Sequence, residues 1–308
     1  MIEVLQPGLF SSVQDLGRQG WRQLGFARSG AMDPVAASAA NALLNQDPNC
    51  ATIECTLIGP SLKFHCDSAV AVTGATMTIL VDDVPHQVGQ TIAIAAGQTL
   101  KLGRAAHGCR SYLAIKGGLQ LPKVLGSASF QSQVGLGLQL QRQQQLPITP
   151  YRGVVPHCHS WIGLIWTITP VLAVFAAPHS NRIHGGLDSL CSQPWQLSQH
   201  ANRIGLRLTG APLAHDGIDD LRSEPVLPGT VQLPANGVPL LLGADAQAVG
   251  GYLKIGQISH SSFSTMAQLR PHQQLWFEAI SLPQAQQRQH RQQRQLQMLA
   301  LRASELWQ

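Results

Sequence analysis

Charge is scarce in this chain. Asp, Glu, Lys and Arg make up 12% of its 308 residues, against 44% hydrophobic residues. That balance suits one large or two moderate globular units with a sizeable core. The net charge of +5 is concentrated at the end, where Arg288, Arg291, Arg294 and Arg302 face Glu305 alone. The rest is close to neutral, so no stripe of Lys and Arg for a phosphate backbone is visible and nucleic acid is excluded as a partner. None of the six cysteines (Cys50, Cys55, Cys66, Cys109, Cys158, Cys191) has C-x-x-C spacing. A chain of this size needs no disulfide staples, so reduced thiols and a cytoplasmic location are expected. The most apolar stretch, Trp161 to Ala177, is broken by Thr167, Thr169 and Pro170. It falls short of the roughly 20 residues of a spanning helix, which reads as buried strands and no membrane partner. Met1 to Val4 lacks a basic stretch followed by an apolar one, so no signal peptide is expected.

Several motifs are missing as well. There is no G-x-x-x-x-G-K-[ST] phosphate loop and no G-x-S-x-G elbow, and Gly135-Leu136-Gly137 lacks the third glycine of a dinucleotide fingerprint. No Met-Lys-Met biotin-attachment sequence occurs, so there is no covalent biotin on this chain. Among twelve histidines only His157 and His159 alternate, with Cys158 between them. A zinc site needs three or four converging ligands, so no metal is expected.

What is present reads as short extended runs punctuated by glycine, proline and Asp turns. They include Ile2–Leu5, Thr76–Val81, Thr91–Ala95, Thr99–Leu102 ended by Gly103, and Tyr112–Ile115. The second half repeats the pattern at Leu164–Thr169, Val171–Phe175, Leu206–Thr209, Thr230–Leu233, Pro239–Leu242, Tyr252–Ile258 and Leu275–Ile280. One helix opens at Asp33-Pro34, an N-cap followed by proline at the first helical position. The polar, Gln-rich segment Gln139 to Pro150 reads as a linker. From Pro283 a Gln- and Arg-rich tail carries Leu296, Leu299, Ala303 and Leu306 at helical spacing, an apolar stripe that is expected to dock on the body or on a partner. The expected domains are residues 1–145, 146–283 and a helical tail, 284–308.

Four blocks lie in order along the chain. The first is Ser12 to Arg18 (SVQDLGR) with Ser29 to Pro34 (SGAMDP) and Ala40-Asn41. The second runs from Ile53-Glu54-Cys55-Thr56 through Gly59-Pro60 to Val72-Thr73-Gly74-Ala75. The third is Arg110 to Ala114 with Gly117-Gly118 and Val124 to Ser127, and the fourth is Asn202 to Gly205 with Glu224 to Gly229, Asp245-Ala246-Gln247 and Gly250-Gly251-Tyr252. In order and spacing, these blocks resemble the biotin-dependent carboxyltransferase / allophanate-hydrolase-subunit-2 family. Pro194 to Ser198 resembles its 5-oxoprolinase branch in particular. The resemblance implies a mainly β fold with two cyclophilin-like β-barrel lobes. It implies a component of an ATP-dependent 5-oxoprolinase that opens 5-oxoproline to glutamate with A-type and B-type partner subunits, ATP lying at or with a partner. Two alternatives stay open within the family. One is the carboxyltransferase component of a biotin-dependent, urea-type carboxylase; the other is a non-catalytic antagonist of a kinase-inhibitor-like partner.

Within this frame, Asp245, Gln247 and Arg203 are the candidate catalytic groups. Arg203 would serve as a carboxylate or phosphate clamp, because a guanidinium fork bonds such groups bidentately. Asp245 and Gln247 would supply acid/base and hydrogen-bonding groups beside paired glycines that admit close backbone approach. Asp15, Arg18, Asn202, Gly250, Gly251, Tyr252 and Lys254 are the candidate substrate-binding residues, Lys254 as a cation for an anion. Four features depart from the family pattern: Ala248-Val249 before the glycines, Leu253 after Tyr252, Ala177-Pro178-His179, and Ser259-His260-Ser261-Ser262.

Overall fold

The computed structural model describes residues 1–162, 170–217 and 221–308, and the chain divides into two compact units. The first comprises Met1–Arg18, Ser29–Trp166 and Gln293–Gln308; the second, Gln19–Arg28 and Thr167–Gln292. Each unit is therefore discontinuous in sequence, where contiguous stretches meeting at residue 145 were expected. The expected strand Leu164–Thr169 lies outside the described residues.

Among the described residues the first unit carries nine strands: β1 Ile2–Gln6, β2 Phe10–Gln14, β3 Thr52–Thr56, β4 Ser61–Phe64, β5 Ser68–Val81, β6 Val84–His86, β7 Thr91–Ile94, β8 Thr99–Ile115 and β9 Gln145–Leu146. They form one branched sheet ordered β2-β3-β8-β4-β1-β9, with β5 paired to β8, β6 and β7. Two expected strands, Thr99–Leu102 and Tyr112–Ile115, are the ends of the single long β8, which runs straight through the anticipated turn at Gly103. Register shifts against β5 around Thr76 and Met77 absorb the irregularity as bulges. The inner face is lined by buried Ile2, Val4, Ile53, Leu62, Phe64, Val72, Ile79 and Leu113. Each such side chain contributes about 1.5–3 kcal/mol when fully buried.

The segment Gln139 to Pro150 is not a linker. Gln145–Leu146 pairs with β1, Gln139 bridges to Ser12, Ile148 bridges to Leu119, and Leu140, Leu146 and Ile148 are buried in the core. Most of its glutamines stay exposed while these apolar residues turn inward.

Helix α1, Pro34–Leu43, starts as its sequence requires: Asp33 accepts the Ala36 N–H at 3.0 Å and Pro34 fills the first position. A second layer of core gathers on it. Ala36, Ala40 and Leu43 pack with Ala71, Tyr112 and Ala114, and with Leu299 and Ala303 of the C-terminal helix Leu282–Leu306. The apolar stripe of the tail thus docks on the body, as its spacing indicates. Trp307 completes it by donating from Nε1 to the Leu43 carbonyl at 2.8 Å, with the Lys116 ammonium 4.0 Å from its ring centre.

The second unit is a closed barrel of seven strands: β10 Val171–Ala176, β11 Trp195–Leu197, β12 Gly205–Thr209, β14 Thr230–Leu233, β15 Leu240–Leu242, β17 Leu253–Ile258 and β18 Gln274–Ala279, ordered β10-β17-β14-β15-β12-β11-β18. The parallel pairing of β10 with β18 closes it, so this sheet has no free edge. Buried Leu172, Val174, Trp195, Leu206, Val231, Leu241, Leu253, Ile255 and Leu275 belong to its strands. Outside the barrel, Glu224–Pro225 (β13) and Val249–Gly250 (β16) form a two-stranded ribbon. No helix among the described residues is long and apolar enough to cross a membrane.

Candidate functional site

The segment singled out in the sequence, residues 245–254, connects β15 to β17 and includes the second strand of the ribbon. Its entry is tied to the turn before β12. The Gly243 N–H donates to the Ile204 carbonyl at 2.9 Å and the Asp245 N–H to the Arg203 carbonyl at 3.0 Å. Only glycine allows this approach at 243, since a Cβ there would lie 2.1 Å from the Arg203 carbonyl oxygen. Asn202 shapes the same turn, its side-chain oxygen accepting the N–H groups of Ile204 (2.9 Å) and Gly205 (3.1 Å).

Arg203 and Asp245 are indeed brought together, but as partners of each other. Arg203 donates from Nε to Asp245 Oδ2 at 2.9 Å and from Nη2 to Oδ1 at 3.0 Å, and the residues are only 7% and 1% exposed. The fork expected to clamp a substrate carboxylate is therefore already occupied by one. The carboxylate expected to act as acid or base has both oxygens committed. The pair anchors the loop.

A cation that the sequence reading missed holds the loop as well. Arg22 donates to the carbonyls of Val226 (2.5 Å), Gln247 (2.8 Å) and Ala246 (3.4 Å). Burial, and secondarily Arg28, lower its pKa from the ordinary guanidinium value. Gln247 thus contributes its backbone oxygen here, while its side chain is on an exposed residue. Arg22 lies in the segment Gln19–Arg28, distant in sequence from everything it touches, and no local pattern marked it.

At the far end of the segment the charged groups converge. Lys254 Nζ lies 2.5 Å from Glu224 Oε2 and 3.4 Å from the Pro225 carbonyl. His179 Nε2 approaches the same Glu224 oxygen at 4.0 Å, while its Nδ1 accepts the Lys254 backbone N–H at 3.0 Å. The hydrogen bond and charge of Lys254, aided by His179, hold the Glu224 carboxyl below its usual pKa. Gly250 pairs with Glu224 across the ribbon, and Gly251 and Tyr252 follow it, exposed. Lys254 does meet an anion, one supplied by the chain itself. Glu224 falls within a block read from the sequence and His179 within a recognised departure, yet neither was singled out as a site residue.

Asp15 and Arg18 belong to the first unit and are buried there. Asp15 accepts from the Gly17 N–H (2.8 Å), the Ala128 N–H (2.8 Å), Ser127 Oγ (2.6 Å) and Ser129 Oγ (2.5 Å), and Arg18 donates to the Ser129 carbonyl. These bonds fasten residues 15–18 to 127–129. Nearby in the same unit, Tyr112 donates to Glu54 Oε2 at 2.7 Å and accepts the Asp33 N–H at 2.7 Å, and Glu54 also accepts the Met32 N–H at 2.8 Å. Burial first, then the carboxylates of Glu54 and Asp33, push the Tyr112 hydroxyl pKa well above its ordinary value. Residues Ser29 to Asp33 are thereby positioned by buried polar bonds. His157 and His159 do not gather a metal set, and among the described residues no group of three or more His, Cys, Asp or Glu does so.

One unit is a closed β-barrel and the other a branched β-sheet. Residues 24–279 match the family "Carboxyltransferase domain, subdomain A and B", and the chain belongs to that family. It is 35% identical to the C-type subunit of 5-oxoprolinase from Escherichia coli, over 98% of each chain. It is 32% identical to the protein of the same name in Haemophilus influenzae, over 92% of this chain and 93% of the relative. Urea amidolyase of Saccharomyces cerevisiae is 27% identical over 91% of this chain, which corresponds to 17% of that much longer protein. Among solved structures, TTHA0988 superposes with a TM-score of 0.82 at 30% identity, and this chain spans 56% of its length. Kluyveromyces lactis urea carboxylase superposes at 0.87 over 97% of this chain and 29% of that one; at 24% identity it shows the shared fold. The relatives support a component of an enzyme complex.

Proposed function

We propose that the chain is the C-type component of a cytoplasmic, ATP-dependent 5-oxoprolinase that hydrolyses 5-oxoproline to glutamate, and that it works only in complex with A-type and B-type subunits. The observation that carries this reading is the degree of similarity. The chain is 35% identical to the C-type 5-oxoprolinase component of E. coli over 98% of its residues, against 27% over 91% for a urea amidolyase.

The charged end of the loop fits a small polar substrate: a lysine, a histidine and a carboxylate meet beside two glycines that leave the backbone accessible. The sequence carries no phosphate loop, and the two buried or half-buried arginines of the loop are bonded within the chain, Arg203 to Asp245 and Arg22 to three carbonyls. We therefore assign ATP, and the activation of the lactam carbonyl, to the partner subunits, and orientation of the lactam to this chain. Orientation alone has catalytic value, because fixing reactants in an attack geometry removes entropy from the barrier.

The test is reconstitution. The purified chain is mixed with its A-type and B-type partners and release of glutamate and phosphate from 5-oxoproline is followed. Turnover should require all three components. Equal turnover without this chain refutes the reading, and a requirement for a biotinylated partner and bicarbonate would favour the urea-type carboxyltransferase instead.

A further inference from the structure

Gln232 in β14 lies directly opposite Lys254 in β17, so the two side chains share one face of the barrel sheet. The ribbon of β13 and β16 packs on them. The Gln232 amide nitrogen is so close to Gly250 that a Cβ at that position would lie 2.6 Å from it. Gln232 is 1% exposed, and its Nε2 has no acceptor among the described residues. A buried amide donor is nearly always bonded, so an unbonded one packed against the ribbon that carries Glu224 points to a bond made in another state. Across the ribbon from Gly250, Glu224 Oε2 lies 2.5 Å from Lys254 Nζ and 4.0 Å from His179 Nε2. Because His179 Nδ1 accepts the Lys254 N–H, the neutral ring carries its proton on Nε2, facing that carboxylate. The arrangement is that of a carboxylate site filled by a residue of the chain.

We propose that Lys254, His179 and Gln232 form a carboxylate-binding subsite, in which Glu224 occupies the place of the ligand's carboxylate until the ligand displaces it. The ribbon is built to yield. It consists of the pairs Glu224–Gly250 and Pro225–Val249, extended by the Val226 N–H to the Ala248 carbonyl at 3.0 Å, and Pro225 has no N–H to contribute. As Glu224 leaves Lys254 and the ribbon lifts from Gln232, the amide N–H acquires an acceptor. The inference rests on the reading above in that 5-oxoproline and glutamate both carry a carboxylate, and it names the end of the substrate that this chain holds.

The test is calorimetric titration of the full chain, alone and assembled with its partners, with 5-oxoproline and with 2-pyrrolidinone, the same lactam without a carboxylate. The wild-type chain should bind the first and not the second. Glu224→Gln should bind about tenfold more tightly, a change of about 1.4 kcal/mol, because the competitor on Lys254 is neutralised. Lys254→Met and Gln232→Met should each weaken binding about tenfold or more. Gln232→Met should also raise the midpoint of thermal unfolding, since an unbonded donor gives way to an apolar group of similar shape. Weakening by Glu224→Gln, equal binding of 2-pyrrolidinone, or no effect of Gln232→Met would each overturn the subsite. If the wild-type complex turns over 5-oxoproline but the variants do not follow this pattern, the subsite fails and the function stands. If they follow it without turnover, the subsite stands and the function fails.

Discussion

Removing the Asp245 carboxylate tests whether the Arg203–Asp245 pair is an anchor or a pair of catalytic groups. Both residues are nearly inaccessible, and both carboxylate oxygens are bonded to one guanidinium at 2.9 and 3.0 Å. Asp245→Ala takes from the buried Arg203 the carboxylate that bonds two of its nitrogens, a loss of about 3–5 kcal/mol. With a urea dependence near 2 kcal/mol per molar, the unfolding midpoint falls by about 1.5–2.5 M. Arg203→Met removes the other charge and should cost a similar amount. The double variant leaves neither charge stranded, so its loss should be smaller than the sum of the two by about 2–3 kcal/mol. The assay is urea unfolding followed by circular dichroism for the four proteins of the cycle. A loss below about 1 kcal/mol for Asp245→Ala, or simple additivity in the cycle, refutes the anchor. A catalytic pair predicts the opposite pattern: stability intact, turnover abolished.

Three further outcomes are expected. Asp15→Ala removes a buried acceptor of four hydrogen bonds and strands two serine hydroxyls and two N–H groups; charged bonds of this kind are worth about 1.5–3 kcal/mol each before relaxation, so unfolding at lower urea by at least that amount is expected, and an unchanged midpoint refutes it. Tyr112 should stay protonated in the native protein beyond the ordinary range, so absorbance titrations of wild type and Tyr112→Phe should coincide until unfolding. Because the folded-state value is raised, the stability it confers is complete below the unfolded value near 10 and is lost as pH rises through the folded one. Cys55, fully buried and with its thiol pushed up to about 12 mainly by burial, should resist a thiol reagent at pH 8, so Cys55→Ser should leave the number of thiols reacting in the native protein unchanged.

How much of this was legible in the sequence depends on whether the signal is local. Helix α1 was legible because Asp33 and Pro34 are its start, and both act through the adjacent turn. The docking of the tail was legible because Leu299 and Ala303 lie on one helical stripe. The long β8 was not, because a glycine at 103 looks like a turn unless β5 is known to run beside it and absorb the bulges. The same limit applies to Gln139–Pro150, where glutamines dominate the composition while Leu140, Leu146 and Ile148 determine the packing. The candidate site divides along this line too. Its central segment was found because Asp245, Gly250 and Gly251 are close in sequence. What those residues do was not found, because it depends on Arg22, His179, Glu224 and Gln232, each brought to the segment by a different element. An aspartate and an arginine in a recognised block look like free chemical groups in a sequence. Once each is seen to satisfy the other, the polar capacity left unspent beside the loop is the Gln232 amide, on the sheet face it shares with Lys254.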